Sequence, residues 1–62
     1  MSINQLLITV TDFVDEHADI NDAIFWRDYI DLRQSYDIRI SLEMALYNQG
    51  FLLSEVVLES QE

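Results

Sequence analysis

Apolar residues near the start of the chain recur with a helical period. Ile3, Leu6, Leu7, Val10, Phe13 and Val14 fall at i, i+3, i+4, i+7, i+10 and i+11, and only Ile8 is apolar off that face. A strand through residues 7–11 is the competing reading, because Ile, Thr and Val favour strands. The period decides for a helix over residues 3–16. Ser2 and Gln5 have the spacing of a capping box, in which each side chain bonds the other's backbone N–H.

The pattern breaks between His17 and Asn21. In a continuous helix Asp12, Asp15, Asp19 and Asp22 would share a face, and like charges three or four residues apart repel. A turn relieves them. Asp19 then caps a second helix over residues 20–34, with Asp22 in its first turn near the positive end of the helix dipole. The stripe of that helix is Asp22, Phe25, Trp26, Tyr29, Ile30 and Arg33. It carries the only tryptophan of the chain. This aromatic stretch reads as the hub of the core, packed on the apolar face of the first helix.

The next segment supports two periods. Tyr36, Ile38, Ile40, Leu42 and Met44 alternate with polar residues, as in a strand. As a helix, Ile38, Leu42, Ala45 and Leu46 form one stripe, and Ile40, Met44, Tyr47 and Phe51 form another on nearly the opposite side. Gly50 suits the left-handed residue after a helix C-terminus, with Phe51 folding back on Leu46, so a helix over residues 37–49 is expected. A helix with two apolar stripes must bury both. The tail holds Leu52, Leu53, Val56, Val57 and Leu58. It reads either as a short fourth helix over residues 54–60 or as a strand, with its last residues fraying.

The expected fold class is therefore all-α: three helices, or four, in one small domain spanning residues 1–62, or a helical hairpin. The expected core is Leu6, Leu7, Val10, Phe13, Val14, Phe25, Trp26, Tyr29, Ile30, Leu42 and Leu46. A domain of 62 residues is marginal alone. Disulfides are excluded, since there is no cysteine. Half of the residues are hydrophobic, which is generous for so short a chain. A homodimer is the expected remedy, joined through Ile40, Met44, Tyr47, Phe51, Leu53 and Val57.

Charge narrows the partners. The net charge is −9, and the only fully cationic side chains are Arg27, Arg33 and Arg39. Direct binding to a nucleic-acid backbone needs cations and is not expected. A protein partner, either basic or carrying an apolar groove, is. No stretch reads as a signal peptide or a membrane span, and the lack of cysteine fits the cytoplasm.

Candidate chemistry is sparse. The acidic group Asp12, Asp15, Glu16, Asp19 and Asp22 could hold a divalent metal, mimic phosphates, or form a solvated polar face. An EF-hand loop starting at Asp15 fails, because Ile20 stands at the glycine position and Trp26 at the bidentate glutamate position. His17 beside these acids has no accompanying nucleophile and no glycine-rich phosphate loop. No enzyme, metal site or cofactor is expected. The plain reading of the acids is a solvated face, and of His17 a helix-end residue.

The segments SINQLLITVTDFVDEHADI and IFWRDYIDL resemble the small, acidic, uncharacterised accessory proteins of lambdoid phage early regions. That resemblance spans about half the chain and carries no signature residues. It implies a non-enzymatic protein that modulates host or phage proteins in the host cytoplasm. A nucleic-acid mimic occupying the basic groove of a DNA-binding protein, and a structural assembly subunit, are the alternatives.

Overall fold

The computed structural model describes residues 1–60 of the chain. They form four helices: α1 (Ile3–Glu16), α2 (Asp22–Leu32), α3 (Ile38–Asn48) and α4 (Leu53–Ser60), with no strand among the described residues. Both ambiguous segments are thus helical. Fraying of the tail is an expectation that falls partly on Gln61 and Glu62, which lie outside the described residues.

The first three helices each begin on a side chain that accepts from a free N–H of the first turn. At α1 the capping box forms as expected: Ser2 Oγ accepts from Gln5 N–H at 3.1 Å, and Gln5 Oε1 accepts from Ser2 N–H at 3.2 Å. At α2 the expected cap, Asp19, is displaced by Asn21, whose Oδ1 accepts from Ile24 N–H at 3.1 Å. The reason is tertiary. Ile20 is buried in the core, and a turn closed by Ile20 N–H to the His17 carbonyl delivers it there. The helix can start only after that residue is placed. Asp37 caps α3 by accepting from Ile40 N–H at 2.9 Å.

The α2–α3 link, residues 33–37, is longer than expected and is closed by turns. α2 stops at Leu32, and Tyr36 N–H returns to the Leu32 carbonyl at 2.8 Å. The Arg33 guanidinium donates to the Tyr36 carbonyl at 2.6 Å. At the other end of α3, Gly50 takes φ +92°. Phe51 N–H bonds the Leu46 carbonyl and Gly50 N–H bonds the Tyr47 carbonyl. This pair of bonds is a Schellman motif, which turns the chain sharply into α4.

The core is built from Leu6, Val10 and Val14 of α1, Ile20, Phe25 of α2, Leu42, Ala45 and Leu46 of α3, and Leu53 and Val56 of α4. Leu7, Phe13, Trp26 and Tyr29 pack against it half-buried. Each fully buried large side chain stabilises the fold by about 1.5–3 kcal/mol. Ile30, expected in the core, is 61% exposed. It neighbours Trp26 on a helical wheel, but it lies about 140° from Phe25, the deepest position of α2, and so turns to solvent.

The packing order also differs from expectation. α1 packs on α3 and α4, not on the aromatic face of α2, and α2 makes its main contact with α3. The central element is α3, which touches all three of the others. Its inner face carries the small residues Ser41 and Ala45, both fully buried, which let neighbouring helices approach closely. The radius of gyration is 10.6 Å and the principal extents are 32 × 26 × 15 Å. The molecule is a thin slab, and Ile40, Met44 and Tyr47 on the outer side of α3 stay exposed.

Candidate functional site

The inner face of α3 points Leu42, Ala45 and Leu46 into the core, which leaves its second apolar stripe outside. Ile40 and Met44 are exposed, and Tyr47 is 69% exposed. α4 adds to the same side. Leu53 and Val56 are buried, Val57 is half-buried, and Leu52 and Leu58 remain exposed.

Between the two helices runs an open groove. One part, ≈ 410 Å³, lies between Glu43, Met44, Tyr47 and Asn48 on α3 and Phe51, Leu52, Leu53 and Ser54 at the entry to α4. The other, ≈ 490 Å³, is lined by Arg39, Glu43, Leu53, Ser54, Val57 and Leu58. Glu43, Leu53 and Ser54 belong to both parts, so the groove is continuous along α3. Its floor is apolar, and Arg39, Glu43, Asn48 and Ser54 supply the polar groups of its lining.

Of the expected interface residues, Met44, Tyr47 and Val57 line this groove, and Ile40 is exposed on α3 outside it. Leu53 lies deeper: it is 7% exposed and belongs to the core, because the turn at Gly50 drives the first turn of α4 inward. Phe51 is divided between two roles. It lines the groove, yet its ring also stacks edge-on against Phe13 and His17, with centroids 5.4 and 4.6 Å apart. The sequence reading overlooked Leu52, Leu58, Arg39 and Glu43 as groove residues. The four-residue spacing of Arg39 and Glu43 on α3 was the available signal.

The corner around His17 is an aromatic packing contact. Its ring lies 5.0 Å from that of Phe13, and its buried Nδ1 has no hydrogen-bond partner. An acid–base pair would need a carboxylate or hydroxyl at that nitrogen. His17 acts instead as a flat packing residue at the C-terminus of α1, where its backbone N–H bonds the Phe13 carbonyl.

The acidic residues Asp12, Asp15, Glu16, Asp19 and Asp22 are all exposed. Asp12, Asp15 and Glu16 point away from the Leu6–Val10–Val14 stripe on the outer side of α1. Asp12 and Glu16 share a shallow depression with Glu59 of α4. Among the described residues, no three of His, Cys, Asp and Glu are grouped so as to hold a metal ion. No helix among them is long and apolar enough to cross a membrane. Compared with known proteins, the chain matches no family model, no curated protein and no solved structure.

Proposed function

We propose that the protein is a non-enzymatic interaction module that works as a homodimer through the α3–α4 face. The observation that carries this reading is the gathering of Ile40, Met44, Tyr47, Leu52 and Leu58 on one side of two adjacent helices. Scattered apolar residues need no explanation, but a contiguous apolar face in a small chain marks an association surface. Its closure on a second copy enlarges the core that 62 residues supply. The resemblance to accessory proteins of lambdoid phages supports a regulatory or inhibitory role, exerted on host or phage proteins in the cytoplasm.

Sedimentation equilibrium from sub-micromolar to high micromolar concentration tests the assembly. The wild type is expected to dimerise, and Tyr47→Lys to shift it to monomer with an unchanged helical circular dichroism spectrum. A wild type that stays monomeric at high micromolar concentration refutes the reading.

A second reading has its own observation. Residues 1–26 hold no lysine or arginine, and the five acids of that region all face solvent. Such a surface suits a mimic of the nucleic-acid backbone, directed at a basic partner.

A further inference from the structure

We infer that α4 is a displaceable latch. It covers an acid-rimmed apolar slot on α1 that a basic amphipathic helix of a partner protein fits better than α4 does. The inference does not rest on the homodimer reading, because the slot is formed by α1 and does not include Tyr47.

The chemistry of the slot is visible in its present occupant. α4 packs chiefly on α1 and less on α3, its neighbour in the chain. Leu53 and Val56 of α4, three residues apart on one helical face, join the cluster that holds Val10 and Val14 of α1. An apolar helix face of this spacing is therefore what the slot accepts. The charges do not match in the same way. Asp12 and Glu16 of α1 line one depression with Glu59 of α4, and no lysine or arginine stands among the described residues that line it. Glu59 also lies in the last turn of α4, where the helix dipole favours a cation.

α4 is also the least secured of the four helices. It has 8 residues, and helices shorter than about 12 are marginal on their own. Ser2, Asn21 and Asp37 cap α1, α2 and α3. Before α4 stands Leu52, whose alkyl side chain accepts no hydrogen bond. Phe51 is held by Phe13 and His17, which gives the chain a fixed point from which α4 swings away. A partner helix that repeats the apolar spacing of α4, with lysine or arginine at the position of Glu59, keeps the burial and turns repulsion into attraction. Residues 1–26 carry acids and no lysine or arginine, so they steer such a helix toward α1.

Full-chain variants and one peptide test this. Glu59→Lys is expected to slow hydrogen exchange of the α4 amides about fivefold, as weak repulsions become attractions and the dipole is complemented. With Asp12→Asn and Glu16→Gln also present, that gain is expected to shrink. The peptide has the sequence of residues 52–60 with lysine in place of Glu59, extended by Ala-Ala-Lys to support its helix. Titrated into the isotope-labelled wild type, it is expected to bind about fivefold tighter than the parent peptide that keeps the glutamate. Binding should strip the α4 amides of their protection. The Glu59→Lys chain is expected to bind the peptide about fivefold more weakly than the wild type, because its own latch opens less often.

An undiminished gain from Glu59→Lys after Asp12 and Glu16 are neutralised leaves the dipole as its whole cause and overturns the charge match. No binding up to millimolar peptide overturns the inference, as does binding that leaves α4 protected. Binding lost in Tyr47→Lys but kept after Asp12→Asn and Glu16→Gln puts the peptide on the α3–α4 face and overturns it too. Equal binding of the two peptides shows that α4 of a second copy suits the slot as well, and overturns the basic partner.

Discussion

Replacement of Gly50 by alanine isolates one physical effect. Gly50 sits at φ +92°, and a Cβ built there meets no atom within 4 Å. Steric crowding by the rest of the fold is thus absent, and the cost is that of holding an L-residue at positive φ. That cost is roughly 1–2 kcal/mol. Stiffening of the unfolded chain by alanine offsets a little under 1 kcal/mol of it. The net expectation is a loss of about 1 kcal/mol, or about 4–8 °C in Tm for a domain of this size.

Asparagine tolerates the left-handed region better than alanine, and valine tolerates it worse. The expected order of stability is therefore Gly50, Asn, Ala, Val. Urea denaturation followed by circular dichroism measures this, at one fixed protein concentration because the proposed dimerisation would make stability concentration-dependent. An unchanged m-value would show that only the folded turn is affected. Gly50→Ala as stable as the wild type, or Gly50→Asn less stable than Gly50→Ala, refutes the account of the turn. The turn also bears on the groove, since it places Phe51 against Phe13 and His17 and buries Leu53.

Three further predictions follow from burial and charge. Phe25→Ala empties a fully buried site and is expected to cost about 3–5 kcal/mol, whereas the exposed Ile30→Ser should stay within about 0.5 kcal/mol; chemical denaturation separates them. Ser41→Leu forces a larger side chain into the fully buried inner face of α3 and is expected to cost about 1–3 kcal/mol, measured the same way. The combined variant Asp12→Asn, Asp15→Asn and Asp19→Asn should keep its helical spectrum and its dimer. Retained capture of a basic DNA-binding protein by this variant would sink the mimic reading.

Local structure was largely legible in the sequence, since it depends on residues close in the chain. The six-residue apolar stripe of α1, the Ser2–Gln5 capping box and the Gly50 turn each involve neighbours within a few positions, and each forms as its spacing predicts. Periodicity also separated the two stripes of α3, although it could not say which one faces inward. That choice is tertiary. It depends on where α1, α2 and α4 arrive, and the small residues Ser41 and Ala45 admit them on one side.

The departures have the same cause. Asp19 is a good capping residue in isolation, but burial of Ile20 moves the helix start to Asn21. The aromatic stretch Phe25–Ile30 looked like the hub because aromatics carry the largest apolar area. Position in the packing decided otherwise, placing α3 at the centre and turning Ile30 to solvent. Sequence alone determined α1 with its ends, the Gly50 turn and the surplus of apolar surface. Only the tertiary structure decided that this surplus gathers on α3 and α4, because burial is a property of distant parts of the chain brought together.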